Sequence, residues 1–135
     1  MKGENDEMLV KQISVFLENK KGRLSEVTKV LKEHNIDITA LSIADTTNFG
    51  ILRMIVDKHE TAVEALRNSG FTVSITEALV VEVSDRPGGL HEVLEILKEN
   101  DISIEYIYSF VRQPSKSALI LFKVEDPYET SKILK

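Results

Sequence analysis

The sequence predicts an α+β protein built from two copies of a βαββαβ unit, with antiparallel sheets and helices on one face. Two observations predict it. First, Gly22-Arg23-Leu24-Ser25-Glu26-Val27 returns as Gly88-Gly89-Leu90-His91-Glu92-Val93, a shift of 88 − 22 = 66 residues, and Leu31-Lys32-Glu33 returns as Leu97-Lys98-Glu99. Further on, Val56-Asp57 matches Val124-Glu125, a shift of 124 − 56 = 68, so two residues enter the second copy's later loop. One long period occurring twice marks a duplicated domain rather than a stacked solenoid. Second, the hydrophobic period switches along each copy from two to 3.6 and back.

The elements follow in order. Ile13, Val15 and Leu17 alternate with Gln12 and Ser14, as Leu79, Val81 and Val83 alternate with Glu82 and Ser84, which predicts a half-buried opening strand in each copy. Leu24, Val27, Val30 and Leu31 then share a helical face, as do Leu90, Val93, Ile96 and Leu97, with polar ends at His34-Asn35 and Asn100-Asp101. Two strands are expected at about 36–44 and 51–56, turning at Asp45-Thr46-Thr47-Asn48. Their counterparts are expected at about 102–111 and 118–124, around Gln113-Pro114-Ser115-Lys116. Leu52, Met54 and Val56, matched by Ile120, Phe122 and Val124, give the third strand a core face. Arg53 and Lys123 make the other face at least partly wet. A second helix at about 60–68 closes on Gly70, and Phe71, Val73 and Ile75 form the last strand. In the second copy Pro127 opens the second helix, and the final strand is missing. The expected domains are 9–76 and 77–135. The absent strand would leave 79–83 as an open edge, so the units are expected to share or juxtapose strands around Thr76-Glu77, or to take an edge from a second chain.

Composition narrows the function. A net charge of −5 argues against nucleic acid, whose phosphates call for surplus Lys and Arg. No apolar run is long enough to span a membrane, residues 1–6 lack the apolar core of a secretion signal, and a cytoplasmic location is expected. Zero cysteines exclude disulfides, thiolate catalysis and thiolate metal sites. His34, His59 and His91 lie apart without metal-ligand spacing, and read as surface residues. No nucleophile–base pair or paired-carboxylate constellation shows, so neither catalysis, metal nor cofactor is expected. Gly50-Ile51-Leu52-Arg53-Met54 and Ala118-Leu119-Ile120-Leu121-Phe122 lack the exposed aromatics of an RNA-binding third strand. Tyr106, Tyr108 and Phe110 alternate where the first copy has Ala40, Ser42 and Ala44, and are expected to serve core or inter-domain packing or, alternatively, to wall an apolar ligand side chain.

The informative segment is the turn from strand to helix. In Asp85-Arg86-Pro87-Gly88-Gly89-Leu90, Pro87 fixes one φ angle and two glycines allow a sharp turn. The free N–H groups at a helix start can hold a carboxylate, and Asp85 could accept an ammonium group, a cradle suited to a zwitterion. On these residues alone, glycines serving tight strand–helix packing with Asp85 as a cap explain the motif equally.

The run Asp-Arg-Pro-Gly-Gly-Leu-x-Glu-Val, then a helix and Asn-Asp-Ile-Ser-Ile, resembles the opening half of an ACT domain, the ferredoxin-like module that senses amino acids. The first copy is looser: Asn19 stands for the acid, there is no proline, and Gly22 and Leu24 are kept. The resemblance implies side-by-side pairing of domains with effectors at the first loop. Ligand-binding residues would then be Asn19, Gly22, Arg23 and Leu24, and Asp85, Arg86, Pro87, Gly88, Gly89 and Leu90. It implies a stand-alone regulatory protein, expected as a homodimer, that senses an amino acid and modulates a partner enzyme or regulator. The competing expectation is a ligand-free docking module.

Overall fold

The computed structural model describes residues 8–45, 48–111 and 117–134. The predicted turn residues Thr46 and Thr47, and the loop residues 113–116, lie outside the described residues. Among the described residues, six strands and four helices occur in the order β1 (Leu9–Glu18), α1 (Arg23–Glu33), β2 (Ile38–Asp45), β3 (Phe49–Val56), α2 (His59–Asn68), β4 (Thr72–Ser84), α3 (Gly89–Glu99), β5 (Ile104–Ser109), β6 (Ser117–Val124) and α4 (Pro127–Leu134). The chain divides into two compact units. One is Lys11–Thr76; the other joins Glu77–Lys135 to the beginning of the chain through Val10.

In the first unit the strand order is β2-β3-β1-β4. Antiparallel pairing sets Ile13 opposite Met54 and Val15 opposite Leu52, so the apolar residues of both strands share a face. Val27, Val30 and Leu31 of α1 and Ala62, Val63, Ala65 and Leu66 of α2 complete the core on that face with Leu17, Phe71 and Val73. Each fully buried aliphatic side chain contributes about 1.5–3 kcal/mol, which is how two amphipathic helices are held to one side of the sheet. Leu24 does not join them. It stands at the first turn of α1 and is exposed, because the core face of the helix starts one turn later at Val27. The face away from the helices is not uniformly wet: Gln12, Ser14, Ala40 and Ile55 are buried there, while Arg53 is half-buried.

In the second unit the order is β1-β4-β6-β5. Leu79 lies opposite Phe122 and Val81 opposite Ile120, and Leu97, Leu90, Val93 and Leu94 of α3 cover them. Leu94 takes the place expected of Ile96, which is exposed. The edge that 79–83 was expected to leave open is taken by the chain's own opening strand. β1 lies beside β4, and Met8 and Leu9 pack against the core of this unit. No break interrupts the sequence at Thr76-Glu77, where β4 runs unbroken for 13 residues. Tyr106 and Tyr108 stack on each other, with ring centroids 6.4 Å apart. They sit opposite Lys123 and Leu121, on the face away from that core, so of the expected roles packing within this core is not theirs.

Small features repeat as faithfully as the large ones. The register shifts by one residue between Ile38 and Ala40 in β2 and between Ile104 and Tyr106 in β5, a bulge at the same place in both copies. Helices α1, α2 and α3 end alike. Asn35, Gly70 and Asp101 take positive φ of 56°, 93° and 56°. Behind them the N–H groups of Ile36, Phe71 and Ile102 reach back to the carbonyls of Leu31, Leu66 and Leu97. These are Schellman closures, with an apolar residue following each left-handed one.

If Leu9 supports the second unit, Leu9→Ala should destabilise the chain by about 1–2 kcal/mol, less than a fully buried leucine loses. Native-state hydrogen exchange should show the loss concentrated in residues 79–83, with β2 and β3 unaffected.

Candidate functional site

The two turns put glycine at the same conformational corner. Gly22 has φ 88° and ψ −7°, and Gly88 has φ 89° and ψ −8°. Each is the N-cap of its helix, and in neither does a side chain cap the helix. Left-handed backbone is cheap for glycine and costs another residue about 1–2 kcal/mol. The uncapped N–H groups and the positive end of the helix dipole stay available. Asp85, which the sequence allowed as a cap, is exposed and forms no hydrogen bond among the described residues. The geometry therefore removes that alternative for Asp85.

The two glycines of the second turn have different tasks. Gly88 makes the turn, and Gly89 permits close approach: a Cβ there would lie 1.9 Å from the Ser84 carbonyl oxygen. Arg23 occupies the corresponding position in the first turn. Gly22 would meet nothing within 4 Å.

Arg23 is held by contacts of its own. Its guanidinium pairs with Glu26 and lies 3.8 Å from Glu18, and it stacks 4.7 Å from the centre of the Phe71 ring. Its Nε is buried without a hydrogen-bond partner. A hollow of about 130 Å³ opens beside it, lined among others by Asn19, Arg23, Leu24, Ile43, Asp45 and Gly50. That is about four times the ~30 Å³ share of a liquid water. Three of the four residues expected in the first copy thus come together, and Gly22 shapes the turn from outside the hollow. Sequence reasoning missed Ile43, Asp45 and Gly50. They reach the loop only because β3 pairs with both β1 and β2, setting Gly50 opposite Leu17 and Asp45.

In the second turn Asp85, Arg86, Pro87 and Gly88 are exposed, Gly89 is buried and Leu90 half-buried. Arg86 folds back onto its own helix, pairing with Glu92 and donating to the Pro87 carbonyl at 3.3 Å. Glu92 is the counterpart of Glu26. Each copy therefore neutralises the same helix carboxylate with an arginine, but from a different place in the turn.

A family model described as an ACT domain pair matches residues 8–134. The chain belongs to the ACT domain pair family. Among solved structures it resembles protein BT0572 from Bacteroides thetaiotaomicron, at 40% identity and a TM-score of 0.87, over 94% of this chain and 87% of that one. It also resembles the ligand-free regulatory subunit of aspartate kinase from Thermus thermophilus, at 16% identity and a TM-score of 0.66, over 94% and 88% of the two chains. The corresponding subunit from Thermus flavus matches at 13% identity and a TM-score of 0.58, over 95% and 94%. At those two identities the likeness shows the fold alone. No curated protein matches. Within the ACT pair the two turns are built differently, one around an arginine and one around a second glycine.

The difference is measurable as stability. Gly22→Ala should cost about 1–2 kcal/mol, the conformational term alone. Gly89 has no left-handed backbone, so Gly89→Ala carries only the clash with the Ser84 carbonyl and should cost about 1–3 kcal/mol on steric grounds. Denaturant unfolding measures each loss, and a negligible loss in Gly89→Ala would show that the close approach at Ser84 relaxes freely.

Proposed function

We propose that this protein is a cytoplasmic, non-catalytic regulator that binds an amino acid at its strand-to-helix turns and adjusts the activity of a partner enzyme or regulator. One observation carries the reading. Two uncapped helix starts behind left-handed glycines recur at equivalent places, and a hollow of small-molecule size adjoins the first of them. Helix N–H groups suit a carboxylate. Asp85 in one turn, and Asn19 with Asp45 in the other, offer oxygens to an ammonium group. The residues of the reading are Asn19, Gly22, Arg23 and Leu24 in the domain 9–76, and Asp85, Arg86, Pro87, Gly88, Gly89 and Leu90 in the domain 77–135. The aspartate kinase regulatory subunits whose fold it shares support regulation as the role, with the effector and the partner still to be found by experiment. Strands β2 and β5 each end a run of paired strands, and an open edge of this kind can take up another strand, so a homodimer is part of the proposal.

The test is thermal unfolding of the full chain against each of the twenty amino acids at millimolar concentration. A ligand present at about 100 times its dissociation constant adds about 2.7 kcal/mol of stability, a shift of several degrees for a chain of this size. One amino acid, or a chemically related group, should give the shift, and both Asp85→Ala and Gly88→Val should reduce it. A shift that survives both substitutions would relocate the ligand away from the second turn. Silence with all twenty would favour a ligand-free docking module.

A further inference from the structure

The hollow beside the first turn is fitted for one kind of amino acid. It lies wholly within the first unit, and its lining combines apolar wall from Leu17, Leu24 and Ile43 with the Asp45 carboxylate and Arg23. Two independent observations point to a ligand there. The first is the Arg23 Nε, a buried donor with no acceptor, a costly state that a carboxylate oxygen would relieve. Both Nη atoms of that arginine are already engaged, with Glu26 and Glu18, so the side chain is positioned before any ligand arrives. The second is Gly50, which stands inside β3 without a left-handed φ, so no turn requires it. Glycine weakens a strand and often marks a place where a ligand approaches closely. A Cβ at Gly50 would lie 3.0 Å from the Asp45 Oδ1 and 3.8 Å from the Ile43 Cγ2, and its absence keeps the space between those side chains open.

The second copy has lost all of these fittings together. By the shift of 66 residues Arg23, Ile43 and Asp45 correspond to Gly89, Ser109 and Val111, and by the shift of 68 Gly50 corresponds to Ala118. The arginine, the apolar wall, the carboxylate and the open strand position belong to the first turn alone.

The lining also sorts the candidates. Of the first N–H groups of α1, those of Arg23 and Glu26 bond the carbonyls of Lys20 and Gly22. Those of Leu24 and Ser25 have no backbone partner among the described residues and, with the Arg23 Nε, suit a carboxylate. Asp45 suits the ammonium group. For a side chain there remain apolar wall and little room, since the whole hollow holds about 130 Å³, the share of roughly four waters. Glu18 and Lys20, the other charged groups of the lining, pair with each other at 3.4 Å. A second charge on the ligand would therefore lose its water against Leu24 and Ile43 without gaining a free partner. Resting on the amino-acid reading above, we infer that the first turn selects a short aliphatic amino acid, valine or alanine. Its carboxylate meets the Arg23 Nε and the start of α1, its ammonium group meets Asp45, and its side chain lies against Leu24 and Ile43.

The probe is L-valine, titrated calorimetrically into the full chain carrying Asp85→Ala, which disables the second turn and leaves the first as it is. Saturable binding at a single site is expected. Alanine should also bind, and lysine and phenylalanine should bind at least about tenfold more weakly than valine, the scale set by ill-fitting groups in an apolar pocket. Adding Asp45→Asn should weaken valine at least about tenfold. Adding Ile43→Ser should weaken valine more than alanine, a change of preference that a general loss of structure would not produce. Asp45 and Ile43 are exposed, and an unchanged unfolding midpoint without ligand checks that both variants fold. The inference is overturned if lysine or phenylalanine binds as tightly as valine, or if Asp45→Asn and Ile43→Ser leave valine binding unaltered. Either result leaves the amino-acid reading standing. Silence of the wild-type chain with all twenty amino acids overturns both.

Discussion

The constraint on which this structure depends is the passage from a strand into a helix that must return onto the same sheet. In both copies it is met by a glycine in left-handed conformation at the N-cap, Gly22 and Gly88. With a side-chain-bearing residue there, the turn would be strained by about 1–2 kcal/mol. Because the turn is tight, α1 and α3 lie against the apolar face of the strands before them. α2 follows α1 onto the same core in the first unit, and in the second Leu134 of α4 joins α3. The same turn leaves the helix start without a side-chain cap. The feature that makes the fold compact therefore also makes a place for an anion.

Duplication preserved this scaffold and let its chemistry diverge. The bulges, the left-handed helix ends and the glycine turns recur almost unchanged. The charges do not. Arg23 stands where Gly89 stands, Lys58 where Asp126 stands, and Ala62 where Thr130 stands. Residues that set backbone conformation are constrained by sterics in both copies, whereas surface residues around the turns answer only to solvent and ligands. Two units of one fold thus present one turn built round a stacked arginine and another built round bare backbone.

The edge of β4 that the sequence left open is covered within the chain. β1 lies beside β4, and its first residues belong to the second unit's core. β4 in turn closes the first unit with Val73 and opens the second with Leu79. Within the second unit, β1 beside β4 leaves no open edge there.

The sequence by itself determined the duplication, the order of elements, and the turns at Gly22 and Gly88. Those depend on local period and on backbone sterics, which a short window contains. It also announced Ile13, Val15, Leu52, Met54 and Phe122 as core, because strand alternation is rigid at two residues. Leu24 and Ile96 matched the helical period yet lie exposed, since where a helix meets its sheet is set by crossing geometry rather than by period alone. Only the tertiary structure could bring Ile43, Asp45 and Gly50 to the first turn, place Leu9 against the second core, and leave the Arg23 Nε buried without a hydrogen-bond partner. Each of those arrangements joins residues far apart in the chain through sheet pairing or packing, and no local pattern encodes which distant strand will lie alongside.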